Sequence, residues 1–191
     1  MGGTMKLDVN MGYRAVQRVL DGETDPVKRR NLEVVIKHMK AEARCDVAGV
    51  LDTLIDEPEY KWHSDPGNPD LNPKGSKQAV ADFYDMWIVQ TGAYRLEWDL
   101  TRIMVDEHAV LTEGVMKVAF PGKTLLGLGI EVDDPEALYL AEGMTTVIWP
   151  VDAATGLLVG EEVYDFDKMV GIAERKIQLS DVTTLAEEAF V

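Results

Sequence analysis

The sequence predicts an α+β domain, and three observations carry that prediction. Apolar residues recur at helical spacing between Pro26 and Gly92, and from Tyr94 the apolar period drops to two and holds through Asp165. Between the helical stretches lies DPGNPDLNPKG, a long run of turn formers. Helices therefore come first, and a mostly antiparallel, hairpin-built sheet follows.

Residues 1–25 are weakly patterned, although Tyr13, Val16, Val19 and Leu20 have helical spacing, and a peripheral arm or short helix is expected there. Asp25-Pro26 marks a helix start, an N-cap acid followed by proline at the first helical position, and Leu32, Val35, Ile36, Met39 and Ala43 continue the stripe. His38 and Cys45 belong to this helix or its end and read as packing residues, because no second His or Cys lies at metal spacing. Asp46 caps a short second helix carrying Val47, Val50, Leu51 and Leu54, which Pro58 is expected to close. Glu59–Ser64 reads as a strand, and the long turn after it is a candidate lid. Ser76 caps a third helix whose Val80, Phe83, Tyr84 and Trp87 form a core stripe, and Gly92 stops it.

Tyr94–Val105 and Ala109–Phe120 are long strands around the turn Asp106-Glu107-His108, which leaves His108 exposed. After a glycine-rich, then acidic connection, Ala137–Trp149 and Gly156–Asp165 form a second hairpin; a short helix over Lys168–Lys176 and a tail over 173–191 end the chain. In the last strand one face holds Leu157, Val159, Glu161, Val163 and Asp165, and the other Leu158, Gly160, Glu162 and Tyr164. One of two adjacent glutamates must share a face with apolar residues. That carboxyl is the most chemically loaded group in the chain.

Composition excludes several function classes. With 19 Lys+Arg against 34 Asp+Glu, the formal net charge of -15 argues against a nucleic-acid backbone or an anionic membrane as partner. A single cysteine, Cys45, forbids an internal disulfide and fits a cytoplasmic location. No apolar run approaches the roughly 20 residues of a membrane-spanning helix, and the opening MGGTMKLDVN has no signal-peptide pattern. Gly122-Lys123-Thr124 resembles the end of a phosphate-binding loop, but the earlier glycine that loop requires falls on Lys117 and no strand-to-helix junction is expected there. His, Cys and Asp are too sparse for a zinc or two-metal centre, so neither a metal nor another cofactor is expected.

The order of elements, with EARCDVAGVLDTL, Tyr60–His63, Gly75, Phe83-Tyr84, VLTEG at 110–114 and GEEVYDFD at 160–167, resembles the nuclear transport factor 2-like (NTF2-like) superfamily over about residues 26–172. Its SnoaL-like and limonene-epoxide-hydrolase-like branch is the most similar. The resemblance implies an NTF2-like cone: a strongly curved, mostly antiparallel sheet wrapped by three N-terminal helices around an apolar pocket. It also implies a homodimer joined through the outer sheet face. Family members include isomerases, dehydratases, cyclases, hydrolases and binding proteins, so fold alone does not choose the chemistry.

Aligned on the epoxide-hydrolase pattern, the three catalytic positions of that branch fall on Gly114, Met116 and Val163, which carry no acid or base. A limonene-type hydrolase is thereby excluded. The same alignment turns Gly114, Met116, Val118, Glu161 and Val163 toward the pocket and makes Glu161 a candidate general acid/base. Strand parity adds Trp98, Leu100 and Arg102; Tyr139, Ala141, Thr145, Val147 and Trp149; and Tyr60, Trp62 and Ser64, while His63 would enter only if its strand is bulged. The acid that the dehydratase branch places on its first long helix falls near Ala41, with Glu42 beside it. The expectation is a cofactor-independent lyase, dehydratase or isomerase acting by general acid/base chemistry on a small hydrophobic, aromatic alcohol or carbonyl compound. A lignin-derived diarylpropane losing water or formaldehyde is one such substrate. Glu161, Tyr60, Arg102 and His63 would move or hold protons, and Trp62, Trp98, Met116, Tyr139, Trp149 and Val163 would bind the ligand. The alternative is a non-catalytic small-ligand-binding or interaction module.

Overall fold

Helices packed on the inner face of one bent, unclosed sheet set the architecture. The computed structural model describes residues 7–166 and 168–191; residues 1–6 of the expected arm and Asp167 of the last motif lie outside that set. Helices α1 (Met11–Gly22), α2 (Pro26–Ala43) and α3 (Val47–Leu51) precede strand β1 (Leu54–Trp62), and α4 (Lys77–Tyr84) runs on into a π turn over Asp85–Val89. Strands β2 (Arg95–Val105), β3 (Ala109–Pro121), β4 (Leu138–Pro150) and β5 (Leu158–Asp165) follow, with a short helix α5 (Gly122–Gly127) between β3 and β4 and a two-residue β6 (Lys176–Ile177) near the end. The sheet order is β1-β5-β4-β3-β2, with β6 added beside β4. β1 pairs parallel with β5, and the other pairings are antiparallel.

The caps expected from sequence form. The Asp25 carboxylate accepts from the amides of Val27 and Lys28, Asp46 accepts from Gly49, and the Ser76 hydroxyl accepts from Ala79. Each such cap is worth about 1 kcal/mol. Two glycines shape the bends of the sheet. A Cβ on Gly114 would stand 2.0 Å from the Asp99 carbonyl oxygen, where β2 is bulged between Leu100 and Arg102. Gly160, at φ +152°, would bring a Cβ within 1.9 Å of the Glu59 carbonyl, where the register of β1 on β5 shifts.

Four local expectations are corrected. Pro58 does not end a helix but sits inside β1, an edge strand, where a missing amide costs no ladder bond; its carbonyl accepts from Gly75. The segment expected to be a peripheral arm or short helix does form a helix, α1, but not a peripheral one: it buries Tyr13, Val16 and Leu20 and lies against α2 and β2. No helix spans Lys168–Lys176: a single 3-10 turn at Ile172–Glu174 precedes β6. A strand-to-helix junction, not expected at Gly122-Lys123-Thr124, is present there: β3 ends at Pro121 and α5 begins at Gly122.

The main core lies between the helices and the inner sheet face, with Val16, Leu32, Val35, Leu54, Val80 and Leu158 fully enclosed. The terminal segments pack against the body of the domain. Leu7 and Val182 form a parallel bridge, and Ala189 packs into the main core near α2. Leu125 of α5 and Ile172 pack over Tyr139 and Ala141 at one end of the inner face. Among the described residues no helix is long and apolar enough to cross a membrane.

Candidate functional site: a buried acid cluster under an apolar cavity

The cone holds a cavity of about 670 Å³. Its walls are mainly aromatic and aliphatic: Trp62, Phe83, Trp87, Trp98, Met116, Val147, Trp149 and Val163 all face it. That size and lining suit a small organic ligand. Glu42, Tyr84 and Glu161 place polar atoms at one end, and Ser64, Asp165 and Lys168 place them at another. In the second group Asp165 accepts from the Ser64 hydroxyl at 2.6 Å and is paired with Lys168 at 2.5 Å.

The first group is one continuous network with His38 at its centre. His38 is completely buried on α2, edge-on to Trp149 with ring centroids 5.4 Å apart. The Thr53 hydroxyl gives its hydrogen to the Val50 carbonyl at 2.6 Å, so it offers only a lone pair to His38 Nδ1 at 2.7 Å. Nδ1 must therefore carry a hydrogen. On the other side of the ring, Nε2 meets Glu161 Oε1 at 3.1 Å and the Tyr84 hydroxyl at 3.2 Å. Tyr84 donates to Glu42 Oε1 at 2.8 Å and lies 3.4 Å from Glu161 Oε1. With the Tyr84 hydrogen directed to Glu42, a single proton is left to share between His38 Nε2 and Glu161.

The electrostatics of the cluster favour holding protons. Burial drives Glu42 upward, and the negative charge of Glu161 adds to it; although His38 and the Tyr84 hydrogen bond act against them, the Glu42 carboxyl is pushed up to about 7. Its side chain is 23% exposed and lines the cavity. For His38 burial alone would lower the pKa, but the hydrogen bond to Glu161 and the charges of Glu42 and Glu161 outweigh it and the net shift is upward. Burial, then the Glu42 charge, holds Tyr84 well above the usual phenol range, so it stays a neutral donor. Tyr60 stands beside Tyr84, ring centroids 6.3 Å apart, and burial followed by the Glu161 charge keeps it protonated as well.

Among the described residues, the Thr145 hydroxyl and the indole Nε1 of Trp98 are enclosed without a hydrogen-bond partner. Each such group costs about 1–3 kcal/mol when left unmet. Trp98 and Thr145 line the cavity.

The sequence-derived candidates divide clearly. Glu161, Trp62, Trp98, Met116, Trp149 and Val163 line the cavity, and Tyr60 stands buried beside the acid cluster. Three candidates lie elsewhere. Arg102 is turned outward, its side chain 60% exposed and paired with Glu113 at 2.7 Å, because the bulge before it reverses the parity of β2. His63 is outside too, stacked on Tyr164 at 4.0 Å and 3.7 Å from Glu162. Tyr139 has the inward parity expected of it but belongs to the plug made by α5 and Ile172, with its hydroxyl donating to Asp133 at 2.6 Å.

From sequence, His38 reads as a packing residue and Tyr84 as core. A signal was present: His38 and Glu42 are four residues apart on a helix, hence on one face, and that face carries Val35 and Met39. A histidine and a glutamate together on a buried stripe need partners. His38, Glu42 and Glu161 also present ligand atoms within 4.8 Å of one another, and they are the set among the described residues able to hold a cation.

A bent sheet wrapped by N-terminal helices, closed at one end over a polar cluster and hollow above it, defines the NTF2-like fold. Solved structures bear this out. A candidate SnoaL-like polyketide cyclase from Shewanella putrefaciens CN-32 superposes with a TM-score of 0.60 at 11% identity, over 84% of this chain and 92% of the other. One from Jannaschia sp. CCS1 does so with a TM-score of 0.57 at 15% identity, over 79% and 96%. TerC, co-crystallised with polyporic acid, gives a TM-score of 0.52 at 16% identity, over 76% and 97%. At these identities the likeness is one of fold. No protein-family model and no curated protein sequence matches the chain.

Proposed function

We propose that the protein is a cofactor-independent enzyme that moves a proton on a small hydrophobic, aromatic alcohol or carbonyl compound held in the cavity. One observation carries this reading: a buried network of Glu161, His38, Tyr84 and Glu42 opens directly on an otherwise apolar chamber. Glu161 and Glu42 both reach the ligand space. Glu161 exchanges a proton with the reacting carbon or oxygen, His38 shares that proton from behind, and Tyr84 holds Glu42 in reach. With the Glu42 carboxyl near 7, the network can both give and take protons at neutral pH.

Dehydration, isomerisation and cyclisation all use such a device, as does loss of formaldehyde from a diarylpropane diol. Candidate polyketide cyclases and a polyporic acid complex among the similar structures support an organic ligand and acid/base chemistry here. A homodimer would cover the outer sheet face, where Met104, Met144 and Tyr164 stand exposed, and light scattering at twice the chain mass would support it.

The test is Glu161→Gln, which keeps the side-chain shape. Turnover of a substrate found by screening neutral aryl alcohols and ketones should fall about 100-fold or more while affinity stays within a few-fold. Wild-type rates in that variant would refute the assignment.

A further inference from the structure

We infer that Ser64, Asp165 and Lys168 form a second polar subsite that receives a hydroxyl on the far end of the ligand. The substrate is then an elongated two-ring aromatic compound, reactive at one end and hydroxylated at the other. This deepens the reading of the cavity as a catalytic site and rests on it.

The paired strands β1 and β5 set out the two ends. Tyr60 stands opposite Glu161 and Trp62 opposite Val163, and the His63 amide continues the ladder by donating to the Val163 carbonyl at 2.9 Å. One step further, the Ser64 hydroxyl donates to Asp165 at 2.6 Å. Glu161, Val163 and Asp165 all line the cavity, so the inward face of β5 reads acid, apolar, acid. Four residues of strand separate the two carboxylates. That is about 13 Å of backbone. Trp62 lines the interval between them, tilted against Phe83 with ring centroids 5.3 Å apart. One benzene ring is too short to bridge the interval; two rings in line span it, and a cavity of about 670 Å³ holds them.

Lys168 is held inside the cone at the Asp165 end. Its carbonyl accepts from the Glu142 amide of β4 at 3.1 Å, and its stem fills the place that Gly143 leaves open, where a Cβ would stand 3.0 Å from Lys168 Cγ. Gly143 shares the parity of Ala141 and Thr145, both of which line the cavity. The Lys168 stem therefore lies on the inner sheet face. The side chains of Lys168 and Asp165 are 16% and 15% exposed, so neither is sealed off.

The chemistry of this pair names the group it takes. The Lys168 ammonium has three hydrogens and its bond to Asp165 uses one, while each Asp165 oxygen keeps a lone pair beyond those met by Lys168 and Ser64. A hydroxyl accepts from the ammonium and donates to the carboxylate at once. An ether brings Asp165 no hydrogen, and a carboxylate is repelled by it. A phenol satisfies the pair and sets its ring beside Trp62 and Val163.

The experiment measures binding, by calorimetry and by quenching of tryptophan fluorescence, for 4-acetyl-4′-hydroxybiphenyl, 4-acetyl-4′-methoxybiphenyl and 4-acetylbiphenyl. These share the ketone and both rings and differ only at the far end. The wild-type protein should bind the hydroxyl compound about tenfold more tightly than either analogue. Lys168→Met and Asp165→Leu should each reduce that preference to about twofold or less while 4-acetylbiphenyl binds as before, and Glu161→Gln, at the other end, should keep the preference intact. Equal binding of the hydroxyl compound and either analogue, or an undiminished preference in Lys168→Met or Asp165→Leu, would overturn the subsite and leave the cavity as a catalytic site. Failure of all three compounds to bind would remove the reading of the cavity as a ligand site, and the inference with it.

Discussion

Replacing Glu42 with glutamine tests the proton economy of the floor cluster. The folded protein holds the Glu42 proton up to about pH 7, whereas an unfolded glutamate releases it near 4.5. Across that window the folded state binds more protons, so stability falls as pH rises. A displacement from 4.5 to about 7 corresponds to at most about 3 kcal/mol. Sharing of protons with His38 and Glu161 reduces what a single substitution recovers to roughly 1–3 kcal/mol. His38 acts in the same direction: its raised pKa gives stability that is complete below 6.5 and is lost as pH climbs through the folded value. Glutamine resembles the protonated acid and still accepts from the Tyr84 hydroxyl. Urea unfolding at pH 5 and pH 8 should therefore find Glu42→Gln equal to wild type at the lower pH and more stable at the higher. In thermal melts the gain at pH 8 is roughly 2–4 °C for each kcal/mol in a chain of this size. A variant less stable than wild type by the same amount at both pH values would show that Glu42 carries no proton burden, and the electrostatic description of the cluster would fail.

Other predictions concern placement. Arg102→Ala and His63→Ala should leave turnover unchanged and shift unfolding free energy by no more than about 0.5 kcal/mol, because both side chains lie outside the cavity; a large loss of activity in either would contradict the geometry. Gly160→Ala should fold poorly or lose upward of about 3 kcal/mol, since its Cβ would overlap the Glu59 carbonyl; a melt at the wild-type temperature would refute the bend assigned there. Tyr84→Phe removes the donor that holds Glu42 and should lower turnover while the fold, read by circular dichroism, persists.

Much of this architecture was legible because local rules and the global fold agree. Asp25-Pro26 and Ser76 cap helices where caps were expected, and alternation put Trp98, Met116, Val147, Trp149, Glu161 and Val163 on the inner face. Alternation fails where the backbone slips. The bulge after Leu100 turns Arg102 outward, and no residue type in that strand announces it; Gly114 opposite is its one trace. Tyr139 kept its parity but lost its cavity, because α5 and Ile172 fold over that end, a long-range event that periodicity does not encode. The centre of the site was missed for a related reason. His38, Tyr84 and Glu161 come from separate elements, and only tertiary packing brings them together.

The most direct test of the account follows solvent deuterium. A neutral aryl ketone bound in the cavity should, when incubated with the protein in D2O and recovered, carry deuterium on the carbon next to its carbonyl, and Glu161→Gln should abolish the incorporation without abolishing binding. Deuterium uptake at the same rate with Glu161→Gln, or none with the wild-type protein despite saturating binding of the ketone, would contradict the claim that this floor moves protons.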